Sequence, residues 1–486
     1  MRGWPSNISG ITPLLADTDT SWNASALQSR IGSIQAALES RVFPRAPVVI
    51  LADNSPDWIA IDLATQAMNI PLIPLPTFFT PAQWKHAIET SGAQAIFCSE
   101  AQYAHALGFR AKISCDSRLH LYEGPQQSHP DTRGTQKITF TSGTTGEPKG
   151  VCLSSDEQWQ VAHAIHAGIA HLGLKRHLCL LPMSVLLENV AGVYTAMLCG
   201  ATTFCPPLSE TGMIGASSFD PVLCLDAIQR YQAESVILLP QMLQALTAIA
   251  EKRDVRIKSL KFVAVGGART PSSLLHAARE KGFPVYEGYG LTECCSVVAL
   301  NLPGQDRIGS VGKPLANRQV RIAADGELEV LITGDVHYLG QPEPAQRWLP
   351  TGDIGHMDAD GYLYIDGRKK NVLVTGYGRN VSPEWPESLL LGTGVVAQAI
   401  VLGDAQPYLA ALIVPASKHH DRACIQQAVD QCNQALPDYA RIGRWIKVEP
   451  FSLANGLATA NGRLKRAAIL QRYQEQINSL YENVGA

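Results

Sequence analysis

From the N-terminus to about residue 300, short apolar runs alternate with segments of helical periodicity. This alternation restricts the fold more than any other feature of the chain. Leu27, Ile31, Ile34 and Leu38 repeat at helical spacing. Pro47-Val48-Val49-Ile50-Leu51-Ala52 then reads as a buried strand, Asn54-Ser55-Pro56 breaks it, and a helical stretch spans 57–68. Residues 70–75 and 93–98 read as further strands. The pattern resumes after residue 150, with strands at 177–181, 235–239 and 261–265 and helices at 156–171, 186–198 and 271–281. Parallel strands need a crossover, usually a helix, so this order predicts βαβ units and an α/β fold.

Between about 305 and 366 the texture changes. Gln319-Val320-Arg321-Ile322 and Glu327-Leu328-Glu329-Val330-Leu331-Ile332 alternate polar and apolar residues between Gly and Asp turns, as a small β-rich subdomain does. The stretch 333–350 is short, which points to a trimmed subdomain. After the basic segment Gly367-Arg368-Lys369-Lys370-Asn371, strands (395–402, 409–414) mix with helices (420–436, 466–481). The expected organisation is a large N-terminal domain, 1–369, of βαβ subdomains plus the β-rich one, and a small mobile α+β C-terminal domain, 370–486, hinged near Lys370.

At 486 residues the chain exceeds one typical core, and its net charge of −3 argues against a nucleic-acid binder. No apolar run approaches the roughly 20 residues of a membrane span. Met1-Arg2-Gly3-Trp4-Pro5-Ser6-Asn7 lacks the apolar core of a signal peptide, so a cytoplasmic location is expected. The 11 cysteines are scattered without zinc spacing. Cys294-Cys295 reads as packing beside a turn. His163, His166 and His171 look like a helical histidine cluster, but no acidic or thiol ligand completes them, and they read as an ordinary helix face.

The strongest local signal is Thr141-Ser142-Gly143-Thr144-Thr145-Gly146-Glu147-Pro148-Lys149-Gly150, after the strand-like Lys137-Ile138-Thr139-Phe140. Glycines let backbone N–H groups close around a ligand, hydroxyls donate to phosphate oxygens, and Lys149 adds a point charge. That composition suits a polyphosphate. It is not a Walker loop, because Lys149 is followed by Gly150.

The whole string resembles the signature loop of the superfamily of acyl- and aryl-CoA synthetases, peptide-synthetase adenylation domains and luciferases. The other motifs of that superfamily follow in its order. Val265-Gly266-Gly267-Ala268 resembles the glycine-rich segment along the adenine edge. Gly288-Tyr289-Gly290-Leu291-Thr292-Glu293 resembles the segment whose ring lies on adenine, whose threonine reaches the α-phosphate and whose glutamate holds Mg²⁺. Gly309-Ser310-Val311-Gly312-Lys313-Pro314 matches the turn before the β-rich subdomain. Thr351-Gly352-Asp353 resembles the ribose motif, Arg368 the nucleotide-contacting arginine, and Gly376-Tyr377-Gly378 the loop near the pantetheine channel. Asp53-Asn54-Ser55-Pro56-Asp57-Trp58 fits the family's N-terminal stretch.

The resemblance implies an enzyme that uses ATP and Mg²⁺ to activate a carboxylic acid as an acyl-AMP and passes the acyl group to coenzyme A. It leaves open a separate carrier-protein phosphopantetheine or small nucleophile as acceptor, closure of a β-lactone, or a nucleotide-binding relative with weak adenylation. Two departures matter. The family's C-terminal catalytic lysine aligns with Arg463 in Ala458-Thr459-Ala460-Asn461-Gly462-Arg463-Leu464-Lys465-Arg466, with Lys465 two residues on. A forked guanidinium is not a compact ammonium, so Arg463, Lys465 through a shifted register, or a loss of adenylation all remain open. And Ser184-Val185-Leu186-Leu187-Glu188-Asn189 stands where many members carry an aromatic–histidine pair. Its aliphatic character suits a fatty acid, as in fatty acyl-CoA synthetases, or simply belongs to the core.

Overall fold

The computed structural model describes residues 13–40, 46–125, 128–141, 148–214, 218–334, 336–341, 347–376, 379–459 and 462–481. The predicted α/β alternation is present. One mixed sheet has a parallel centre of Leu72–Pro74, Val48–Leu51 and Ala95–Cys98. The other runs parallel through Val285–Tyr289, Phe262–Val265, Ser235–Leu238, Arg176–Leu178 and Thr202–Phe204. Local chemistry starts the helices where the sequence placed them. Ser55 caps Pro56–Ala67 by accepting from the Trp58 amide at 3.2 Å, and Pro56 occupies a first-turn position whose N–H has no helical partner.

Between the two sheets lies one apolar core, to which Leu27, Ile34, Trp58, Val190 and Tyr194 contribute. It encloses charge. Lys137 and Asp62, both with fully buried side chains, pair at 2.9 Å; Tyr194 Oη and Asn189 Nδ2 donate to the same carboxylate at 2.6 and 3.0 Å. Burial lowers the Lys137 pKa, and Asp62 opposes that shift.

Two predicted boundaries shift, for one reason. The 177–181 strand ends at Leu178, because the Leu180 and Leu181 amides donate to Glu188 Oε2 (3.1 and 2.9 Å) rather than to a neighbouring strand. The helix expected over 186–198 is π-helical over Leu187–Tyr194 before an α-helical turn, Thr195–Leu198. Glu188 lies beneath Gly192, where a Cβ would stand 2.3 Å from its Oε1. Cys294 and Cys295 are buried, as expected of packing residues.

The β-rich part forms a four-stranded antiparallel sheet, Val320–Ile322, Glu327–Leu331, Trp348–Met357 and Leu363–Arg368. After it, the strands Val396–Leu402, Leu409–Pro415 and Ile442–Lys447 form a separate sheet. Helix Arg422–Gln434 packs on one face through Ile425 and Val429 against Val401 and Ile413. The other face, with Ile400 and Leu412, takes Ile469 and Ile477. The expected 466–481 helix breaks at Tyr473, whose ring packs edge-on against Phe451.

Candidate active site

The carboxyl ends of parallel strands are where open α/β sheets bind ligands. Here two glycine-bearing ends lie side by side. Val265 pairs with Glu287, so Gly266 abuts Gly288: a Cβ on Gly266 would stand 3.2 Å from the Gly288 carbonyl oxygen. Gly267 has φ +87°, a conformation that side chains disfavour. Gly290 tolerates no side chain, because its Cβ would lie 1.6 Å from the Ser296 carbonyl oxygen. Ala268 follows, exposed at the rim.

The ring of Tyr289 leaves this edge and reaches the β-rich sheet, its Oη donating to Asp353 Oδ2 at 2.6 Å. Asp353 and Arg368 are cross-strand partners, and Arg368 Nε donates to Asp353 Oδ1 at 2.9 Å. Burial raises the Asp353 pKa, with Arg368 and Tyr289 opposing. Burial, then the Asp353 charge, raises that of Tyr289.

Arg463 belongs to the small C-terminal sheet's unit, yet its charge couples to this cluster. Crowding in the cleft and then Arg368 lower its pKa, while Asp353 and Glu293 act in the opposite sense. Its side chain still meets solvent, so it is hemmed in at the cleft rather than enclosed. Ala458 and Leu464 bridge, and the Arg463 amide donates to Thr459 Oγ1 at 3.0 Å. Lys465 instead caps the Arg466–Arg472 helix with its backbone, its amide donating to Leu457 O at 2.9 Å. Its side chain makes no hydrogen bond or ion pair among the described residues.

On the other side, Thr141 pairs with Lys149 across two antiparallel strands. The predicted phosphate-loop residues Ser142, Gly143, Thr144, Thr145 and Gly146 lie outside the described residues, as do Tyr377 and Gly378. Thr292 and Glu293 open a 3-10 turn that closes through Cys295 at φ +54°. Glu293 Oε1 accepts from Tyr338 Oη at 2.8 Å, and the second oxygen has no hydrogen bond among the described residues. A carboxylate so disposed beside Lys149 and Thr292 fits a hard divalent cation with phosphate ligands. Tyr338 was not among the expected residues. An aromatic in a short alternating run carries no distinctive signal.

A separate cleft of about 990 Å³ is lined by Gln66, Gln136, Trp159, Asn317 and Thr333 among others, and by none of the motif residues.

The profile of the AMP-binding enzyme family matches residues 9–340, and that of the AMP-binding enzyme C-terminal domain matches residues 370–485. The chain belongs to the AMP-binding enzyme family. It is similar to the 2-succinylbenzoate–CoA ligase of Bacillus pumilus, 25% identical over 79% of this chain and 80% of that one. The long-chain-fatty-acid–CoA ligase FadD15 of Mycobacterium bovis is 28% identical over 89% and 88% of the two chains. Among solved structures, O-succinylbenzoate coenzyme A synthetase of Bacillus subtilis, in complex with ATP and magnesium ion, superposes with a TM-score of 0.73 at 22% identity, covering 94% of this chain and 96% of that one. At that identity the likeness speaks for the fold.

This AMP-binding enzyme is thus an adenylate-forming, ATP-dependent ligase with the α/β architecture expected. Its relatives include both 2-succinylbenzoate and long-chain-fatty-acid ligases, and of the aliphatic run 184–189 Leu186 is buried in the core while Val185 and Leu187 are only partly buried. Among the described residues no helix is long and apolar enough to cross a membrane.

Proposed function

We propose that this chain joins a carboxylic acid with an apolar body to coenzyme A in two steps. The acid's carboxylate attacks the α-phosphorus of ATP and pyrophosphate leaves. The thiol then attacks the acyl carbon, and AMP leaves. The observation that carries this reading is the convergence of Tyr289, Glu293, Asp353, Arg368 and Arg463, from three separate parts of the chain, beside the glycine-bearing strand ends.

In this reading Gly266, Gly267, Ala268 and Gly288 line the adenine edge, with the Tyr289 ring against the base. Asp353 turns from Tyr289 and Arg368 to the ribose hydroxyls. Thr292 holds the α-phosphate. Thr141, Ser142, Gly143, Thr144, Thr145, Gly146 and Lys149 hold the pyrophosphate portion. Gly290 lets the backbone pass close to Ser296. Mg²⁺, with Glu293 as a ligand, supplies charge neutralisation on the phosphates. The remaining work is positioning and electrostatic stabilisation, as phosphoryl chemistry requires.

Of the two candidates for the missing lysine, Arg463 is the better placed. Its charge couples to Asp353, Arg368 and Glu293, whereas the Lys465 backbone starts a helix. A boundary at 369/370 with Lys370 as pivot is supported by the separate cores on either side and by sparse contacts between them, such as Ser273 Oγ to Gly392 O at 3.3 Å. Rotation there would withdraw Arg463 and admit the thiol.

The test is acid-dependent pyrophosphate release from ATP, with and without coenzyme A, over a panel containing long-chain fatty acids and 2-succinylbenzoate. Acyl-CoA formation is expected. Arg463→Ala should slow release about 100-fold or more, while Lys465→Ala leaves it within a few-fold. Release without acyl-CoA would move the acceptor elsewhere. No acid-dependent release would overturn the reading.

A further inference from the structure

Tyr338 lies between two groups that the chain brings from distant positions. It sits in the two-residue strand His337–Tyr338, which pairs antiparallel with Lys149–Leu153: His337 faces Cys152 and Tyr338 faces Val151. The Leu339 amide extends the pairing, donating to Gly150 O at 2.8 Å. This short strand is held at the edge of the sheet whose neighbour begins with Lys149. From there the Tyr338 hydroxyl donates to Glu293 Oε1 at 2.8 Å, and its ring centroid lies 5.8 Å from Lys149 Nζ, within cation–π range.

We propose that Tyr338 is a positioning residue that sets the Glu293 carboxylate for the divalent cation and stations the Lys149 ammonium beside it. The inference rests on the reading above, in which Glu293 ligates Mg²⁺ and Lys149 holds phosphate.

A glutamate side chain turns about three bonds. On a half-buried 3-10 turn it would still sample several rotamers, most of them a wrong geometry for a small cation that demands near-octahedral ligands. The hydrogen bond ties down one oxygen and leaves the other for the cation. Outer hydrogen bonds to metal ligands commonly contribute 10–100-fold in metal affinity. The ring contact adds a second constraint. It attracts the ammonium without neutralising it, leaving Lys149 its full charge for phosphate.

Tyr338→Phe separates the two contacts, because it removes the hydroxyl and keeps the ring. At fixed ATP and acid, the Mg²⁺ concentration for half-maximal pyrophosphate release should rise about 10-fold or more, and the maximal rate should fall by a smaller factor. ATP binding measured without Mg²⁺ should be unchanged, since the cation site is then idle. Tyr338→Leu removes both contacts and should weaken Mg²⁺-free ATP binding as well. Thermal melting of each variant checks that it is folded.

A folded Tyr338→Phe with an unchanged Mg²⁺ titration would overturn the inference. Equal effects with and without Mg²⁺ would overturn it too, by showing a general structural role. Glu293→Ala tells the two levels apart. If it leaves adenylation intact, the parent reading fails. If it abolishes adenylation while Tyr338→Phe changes nothing, only the role of Tyr338 fails.

Discussion

Beside the cleft, the groups that matter come from separate elements and reach one another across gaps: Tyr289 to Asp353 and Tyr338 to Glu293, with the Arg463 charge coupled to both carboxylates. In the helical layer between the two sheets, polar groups lie fully enclosed and paired: Lys137 with Asp62, His177 with Glu188. The first set has partners to exchange when a ligand arrives. The second has none, because any loosened partner leaves a charge or dipole in apolar surroundings. Substitutions at the strand ends should therefore tell mainly on catalysis, and those in the helical layer mainly on stability.

The largest expected effect lies in the helical layer. Lys137→Ala leaves the Asp62 carboxylate buried without its cation, a change that costs about 3–5 kcal/mol of folding stability. Urea unfolding followed by tryptophan fluorescence measures it, since Trp58 lies against the Lys137 ammonium. The paired replacement Lys137→Met with Asp62→Leu should recover much of the loss, because no charge then remains enclosed. A loss under about 1 kcal/mol for Lys137→Ala would break the contrast between the regions.

That same contrast explains what could be read from the sequence. The strand-end groups were legible because each sits in a short string of unusual composition, such as Gly288-Tyr289-Gly290-Leu291-Thr292-Glu293, whose order along the chain is informative. Asp62, Lys137 and Asn189 belong to no such string. Each looks like an ordinary surface residue on a helix or at a strand start, and only the three-dimensional pairing shows that it is buried. The π-helical segment Leu187–Tyr194 was missed for a related reason. Its periodicity differs little from an α-helix over two turns, and what selects it is Glu188 folding under Gly192 toward His177 and two backbone amides. Tyr338 shows the same limit on the catalytic side, since its importance lies in a contact with Glu293, 45 residues away along the chain.

Glu287 is the exception that sharpens the contrast, for it belongs to the strand that carries Tyr289 to the cleft and yet is enclosed. Burial pushes its carboxyl up to about 7, against the opposing Thr270 amide, which donates at 2.9 Å. The folded state thus holds its proton more tightly than the unfolded chain. Near pH 4 both states are protonated and the group has no effect on stability. From about pH 4.5 to pH 7 the unfolded chain ionises first, so stability falls, and above about pH 7 the full penalty applies. Glu287→Gln keeps an oxygen for the Thr270 amide and removes the charge. It should match the parent near pH 4 and exceed it by about 3 kcal/mol at pH 8, in urea unfolding across that range. A difference that does not vary with pH would show that packing, not ionisation, governs the site.

The smallest effect returns to the helical layer and asks whether enclosure alone makes a polar contact costly there. Both Glu188 oxygens are occupied: Oε1 faces His177 Nε2 at 2.9 Å, and Oε2 accepts the Leu180 and Leu181 amides. A carboxylate accepts only, so Nε2 carries the hydrogen toward it, and Ser235 Oγ donates to Nδ1 at 3.0 Å. Ser235→Ala removes that donor and keeps the Nε2 hydrogen bond to Glu188. A cavity of about 20 Å³, lined by His177 and Ser235, already adjoins the pair. The lost hydroxyl enlarges it enough for one water to bond Nδ1. The cost should therefore be about 1 kcal/mol, the net worth of a single hydrogen bond, with the KM for ATP unchanged. A loss of 3 kcal/mol or more would mean that neutral contacts in this layer matter as much as charged ones, and that enclosure rather than charge sets the difference between the two regions.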